Sequence, residues 1–188
     1  MSRLHVLVHR PRRTLAALAT VLVAVGITAA SGANFTASSA NPGNSFATGT
    51  LSMSNSKAGT FILSASDMRP GDPATTGTVD IANTGSLSGA FTLVRGTPAD
   101  SDSTNPLSGK LNVLVTDCGT FASGTPVCGD AGDVQKYAGT LAAMGTTSMG
   151  TFAAAEKHRY QFSVSLDSSA GNAYQGDSSV TQFDWNAS

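Results

Sequence analysis

An all-β fold, an antiparallel β-sandwich of jelly-roll type with little helix, is what this sequence predicts, and three observations predict it. Apolar residues recur with a period of two over short runs, which places every other side chain on one face of a strand. Each run is bounded by Gly, Pro, Asn or Asp, the residues that turns require. Sustained helical periodicity is missing; only residues 151–158, TFAAAEKH, have the composition for one or two helical turns.

Taken in order, the first expected strand is residues 60–63, TFIL. Residues 69–72, RPGD, form a turn in which Pro70 fixes φ and Gly71 is free to take a positive one. Thr75 to Asn83 is a strand with Val79 and Ile81 on its core face. Residues 83–86, NTGS, turn the chain, and residues 89–94 run out again with Phe91 and Leu93 inward. Further strands are expected at 111–115, 160–166 and, alternating more loosely, 179–185. All are rich in Val, Ile, Thr and aromatics, as half-buried strands are. Many short strands separated by frequent turns indicate a sandwich or jelly roll.

The first thirty residues read differently. Arg3, Arg10, Arg12 and Arg13 make a basic stretch with no acid, followed by the uncharged apolar run LAALATVLVAVGITAA at 15–30 and the small residues SGAN at 31–34. Basic, apolar, small is the order of a secretory signal peptide. Cleavage is expected after Ala33, making residues 1–33 the leader and 34–188 a single secreted domain. A spanning helix needs about 20 apolar residues, more than this run supplies. Arg12-Arg13 also fits twin-arginine export, but so apolar a run suits the general secretory route better. No second apolar stretch occurs, so no membrane span is expected after cleavage.

Removing the leader leaves seven basic against twelve acidic residues, a net charge of −5. A sparsely charged acidic surface without a basic run argues against nucleic acid as a partner. Cys118 and Cys128 are the only cysteines. In an exported chain an even count suggests a disulfide. Closing so short a loop would stabilise the fold by roughly 2–3 kcal/mol. Half of a zinc site is the alternative, and its other half is lacking.

Several phrases together carry a resemblance. The apolar leader runs into Asn34-Phe35-Thr36; Asn44-Ser45-Phe46-Ala47-Thr48-Gly49-Thr50-Leu51 follows. Met68-Arg69-Pro70-Gly71-Asp72 is then followed by Asn83-Thr84-Gly85-Ser86-Leu87, and Asn172-Ala173-Tyr174-Gln175-Gly176 precedes the last strand. These phrases, of the types F-x-x-G-T-L and L-x-P-G-D…N-x-G-S-L, resemble the TasA/camelysin family of secreted Gram-positive matrix and surface proteins, its actinobacterial members in particular. The resemblance implies a jelly-roll domain acting in the cell surface or biofilm matrix. It also implies self-association, in some members into fibres, by lending an N-terminal strand to the next subunit. Strand addition to an open sheet edge is the physics of such a link. Here the donor would be residues 34–53, beginning at Asn34, with Phe35, Phe46 and Leu51 as apolar pegs and 34–46 polar, turn-prone and mobile. For residues 47–53 the simpler reading is the first strand of their own domain, which leaves the preceding segment as the donor.

Camelysin's protease label prompts a search for catalytic groups. A zincin needs two imidazoles one helical turn apart with a carboxylate between them. His5 and His9 leave with the leader, and His158, set among Lys157 and Arg159, reads as part of a solvated face. No G-x-S-x-G elbow accompanies it, and nothing selects a carboxylate pair from twelve acids. No enzymatic activity, cofactor or metal is expected. Asp100, Asp102 and Asn105 offer alternating oxygens that suit calcium, without the glycine and terminal glutamate of an EF-hand. A solvated loop is the simpler reading. No LPxTG-type motif appears near the C-terminus, so retention at the surface would need assembly or a partner. A secreted structural protein of the surface or matrix is therefore expected. The alternative is a monomeric module that binds a glycan or a surface protein, its aromatics forming a sugar platform.

Overall fold

The computed structural model describes residues 47–188, together with Arg12, residues 15–20, Gly43 and Ser45. The chain divides into two units, Met1–Phe46 and Ala47–Ser188. In the first, Arg12 and residues 15–20 are helical, and Thr20 Oγ1 donates to Ala16 O at 2.6 Å. The cleavage expected after Ala33, and Asn34, Phe35 and Phe46 of the expected donor segment, lie outside the described residues. Among the described residues no helix is long and apolar enough to cross a membrane.

The second unit is an antiparallel β-sandwich. Its strands are β1 (Met53–Asn55), β2 (Thr75–Asn83), β3 (Gly89–Arg95), β4 (Ala99–Asp100), β5 (Leu111–Thr120), β6 (Val134–Thr140), β7 (Thr146–Phe152), β8 (Lys157–Leu166), β9 (Ser179–Val180) and β10 (Phe183–Ala187). The larger sheet has the order β1-β2-β8-β5-β6 and the smaller β10-β3-β7; β4 and β9 form a two-stranded ribbon. Period-two patterning explains the long strands. Val79 and Ile81 of β2, Phe91 and Leu93 of β3, Val113 and Val115 of β5, and Tyr160 and Phe162 of β8 are buried, and the residues between them face outward.

The topology is that of a jelly roll with one strand missing. With the eight strands of that fold lettered B to I, its sheets read C-H-E-F and B-I-D-G. In chain order β2, β3, β5, β6, β7, β8 and β10 take the places C to I, and both sheet orders agree. Among the described residues the B position, beside β10, holds no strand; the preceding strand, β1, pairs instead with the outer side of β2. Aromatic contacts join the two sheets. Tyr160 of β8 meets Trp185 of β10 with ring centroids 5.2 Å apart, Phe162 meets Phe183 at 4.9 Å, and Phe91 and Phe152 stack at 4.1 Å within the smaller sheet.

Some elements differ from expectation. Residues 60–63 form no strand: Ile62 and Leu63 are half-buried against the core, but the backbone is irregular. Residues 151–158 form no helix, because Phe152 ends β7, Lys157 begins β8, and Ala155 at φ 63° makes the turn between them. Of 47–53 only Met53 is in a strand, and 179–185 is split between β9 and β10 by the bend at Thr181-Gln182. The RPGD turn forms as expected: Asp72 N–H donates to Arg69 O at 3.1 Å and Gly71 has φ 84°.

Candidate functional site

Two regions bring unusual groups together. One is a polar cluster at the rim of the core. The disulfide Cys118–Cys128 forms, with Cα atoms 4.9 Å apart, at the point where β5 loses its regular register with β8 between Asp117 and Thr120. The regular alternation of Leu111, Val113 and Val115 continues to Asp117, which therefore stands on the inner face, buried, opposite Tyr160. His158 Nδ1 lies 3.0 and 3.1 Å from the two Asp117 carboxylate oxygens, and its Nε2 lies 3.3 Å from Glu156 Oε1. Lys136 Nζ stands 3.4 Å from Asp117 Oδ2 and donates to Met149 O at 3.1 Å, tying edge strand β6 to edge strand β7. The His158 side chain is only 14% exposed and stacks on Phe152 at 4.3 Å, so the expected solvated face is corrected to a largely buried imidazole hydrogen-bonded to Asp117. Sequence order separates the partners by 41 residues, and only the antiparallel pairing of β5 with β8 brings them together.

Burial by itself would raise the Asp117 carboxyl. The His158 bond, the Gly119 N–H at 3.0 Å and the charges of His158 and Lys136 outweigh it and hold the group below the ordinary aspartate value. Burial, with the Asp117 and Glu156 charges, pushes the Tyr160 phenol far upward. Both His158 nitrogens face carboxylates, and among the described residues no hydroxyl or thiol bonds to the ring. These contacts tie β8 to β5. The described residues place no group of three or more His, Cys, Asp and Glu around a possible metal position.

The expected calcium candidates are engaged with the chain's own donors. Asp100 accepts from Ser108 N at 2.8 Å and Ser108 Oγ at 2.6 Å. Asp102 accepts from Thr104 N at 2.7 Å and Asn105 Nδ2 at 3.2 Å. Asp100 thus anchors the turn Leu107–Gly109, and Asp102 and Asn105 close their own loop.

The second region is the edge of the smaller sheet and the chain leading to β1. β10 pairs with β3 along one side, and the pairing continues where Ser188 and Ala90 exchange backbone bonds of 3.0 and 2.8 Å. Among the described residues its other side has no backbone partner. Near this edge the phrases G-T-L and N-x-G-S-L interlock. Thr50 O accepts from Ser86 N and Leu87 N at 2.8 and 3.0 Å, and Ser52 O accepts from Thr84 N at 2.8 Å. Gly85 permits that approach, since a Cβ there would come 2.3 Å from Thr50 O. Leu87 lies over Gly49 and Leu51 over Gly89, so Leu51 rests on its own domain. Asn83, fully buried, anchors the turn: its Nδ2 donates to Leu87 O at 2.7 Å, Ala153 O at 3.0 Å and Phe152 O at 3.3 Å, and its Oδ1 accepts from Gly85 N at 2.9 Å. Sequence reading recognised both phrases but not that each is the other's docking site. The spacing of glycine before leucine in both was the available signal.

No protein-family model and no curated protein matches the chain.

Proposed function

We propose that this protein is a secreted structural subunit of the cell surface or extracellular matrix, of the TasA/camelysin type, and that copies join by strand donation. The observation that carries the reading is the jelly roll's missing B strand: β10 offers five residues of edge with no backbone partner among the described residues. Such an edge is a template for another chain, where main-chain bonds supply affinity and alternate side chains supply register. The donor is the segment beginning at Asn34, with Phe35 and Phe46 as pegs. Chain from 47 to 52 is tied to the Asn83 turn, which anchors the donor's root on its own subunit. The expected outcome is filaments or a ladder of oligomers when residues 34–188 are concentrated, seen by size-exclusion chromatography and negative-stain microscopy. Deleting 34–46 is expected to leave a folded monomer and abolish them. Filaments that persist after the deletion overturn strand donation.

A second reading, the monomeric binding module, is favoured by one observation. The outer face of the larger sheet carries a shallow groove of about 460 Å³ whose polar lining is uncharged: Asn112, Gln135, Ser163 and Ser165, beside Leu114 and Ala138. Neutral amides and hydroxyls suit a glycan. This reading expects a protein that is monodisperse at every concentration and a melting temperature that rises with an oligosaccharide ligand.

A further inference from the structure

The polar cluster at the rim of the core and the buried turn at Asn83 are joined through one residue, Glu156. Its Oε1 lies 3.3 Å from His158 Nε2, and its Oε2 accepts from Ala153 N at 2.5 Å. Its backbone carbonyl accepts from Asn83 N at 2.9 Å. Asn83 Nδ2 donates in turn to Phe152 O and Ala153 O of the same turn and to Leu87 O. The N–H groups of Ser86 and Leu87 then hold Thr50 O, and that of Thr84 holds Ser52 O. A run of hydrogen bonds therefore leads from a largely buried imidazole to the seat of residues 50–52.

The charged and titratable groups around that ring come from four places. Asp117 belongs to β5, Glu156 to the turn before β8, and Lys136, 3.4 Å from Asp117 Oδ2, to β6. Tyr160 of β8 stacks with its ring centroid 6.0 Å away. With a proton on each nitrogen the ring donates to Asp117 through Nδ1 and to Glu156 through Nε2. A neutral imidazole donates at one nitrogen and accepts at the other. Nδ1 faces both Asp117 oxygens, at 3.0 and 3.1 Å, in the more buried position, so the remaining proton stays there. The Nε2 lone pair then faces a carboxylate oxygen, which can only accept, and the contact turns repulsive. Glu156, its side chain 28% exposed, is the partner that can swing toward water. Its departure takes Oε2 from Ala153 N. The turn so released holds Ala155 at φ 63°, a conformation that residues with a Cβ seldom adopt.

We infer that His158 and Glu156 form a proton-dependent latch: the doubly protonated ring locks the β7–β8 turn and, through Asn83, the seat of residues 50–52, and loss of one proton loosens both. The latch governs how firmly the chain entering the domain is held, and it operates whether or not copies join by strand donation.

Nuclear magnetic resonance on the full chain tests it between about pH 5 and about pH 8, where histidine side chains change charge. Amide-exchange protection at Thr84, Ser86 and Leu87, corrected for the intrinsic pH dependence of exchange, is expected to fall about tenfold or more as pH rises. The fall is expected to share its midpoint with the titration of the His158 ring, whose signal is identified by its loss in His158→Gln. Protection at Phe162, in the middle of β8, is expected to stay constant. His158→Gln carries no titrating proton there and is expected to remove the step. Glu156→Gln keeps an acceptor for Ala153 N and offers an N–H to a neutral Nε2, so it is expected to remove the step too, and it serves if His158→Gln does not fold. Protection that is flat across the range, a step of equal size at Phe162, or a step unchanged in Glu156→Gln overturns the latch.

Discussion

Asp117 carries a negative charge in a place where burial alone would neutralise it. Its partners Lys136 and His158 arrive from different strands, so the cluster acts as a cross-brace between β5, β6 and β8. Removing one member of a buried pair leaves the others uncompensated, at a cost of about 3–5 kcal/mol. Asp117→Ala is therefore expected to lower stability by about that amount at neutral pH, measured by denaturant unfolding. The pH dependence has a definite sign. The folded carboxyl lies below its ordinary value of 3.8, so its contribution is present above that value and is lost as pH falls through the lower folded one. The melting temperature should drop below about pH 4, and the drop should be shallower in Asp117→Asn. Asn83 is a neutral counterpart. Replacing it with Ala strands buried carbonyls of the β7–β8 turn, at about 1–3 kcal/mol, and loosens the seat of residues 50–52. Faster amide exchange at Ser86 and Leu87 would report the loosening.

Strands whose apolar residues alternate without interruption were legible in the sequence: β2 with Val79 and Ile81, β3 with Phe91 and Leu93, and most of β5 and β8. The missed strands break the pattern for physical reasons. In β7 both Met149 and Phe152 point inward, three residues apart, because a bulge opposite Phe91/Thr92 with Gly150 at φ 106° resets the register. β6 is an edge strand, VQKYAGT, with too few buried side chains to alternate. The opposite error, residues 60–63, has strand composition, but its backbone is irregular and residues 61–68 make no backbone–backbone hydrogen bond among the described residues. The disulfide was legible from cysteine count alone. The polar cluster was not, since nothing local links Asp117, Lys136 and His158. At this scale the bridge has a measurable role: Cys118→Ser with Cys128→Ser is expected to cost about 2–3 kcal/mol in denaturant unfolding. The same change should raise amide exchange across 119–133 while β2 stays protected.

For the whole molecule the two ends of the sandwich differ. On the β6–β7 side Lys136 reaches across to Met149 and joins the sheets; on the other side the outer edge of β10 has no backbone partner among the described residues. The excess of twelve acids over seven bases beyond residue 33 makes like subunits repel. Self-association is expected to speed up as salt rises and the Debye length shrinks from about 30 Å at 0.01 M to about 8 Å at 0.15 M. Light scattering would follow it, and a rate that fell with salt would point instead to specific ion pairs between copies. The position of β10 has a temporal consequence as well. Residues 183–187 pair with 91–95 and cover Tyr160 and Phe162, so the core stays open on one side until this stretch, about ninety residues downstream of its partner strand, has been made. Any process that handles the polypeptide from its N-terminal end, whether synthesis on a ribosome or threading through a pore, therefore meets a chain that cannot yet close. Long-range pairing of this kind is slow to form.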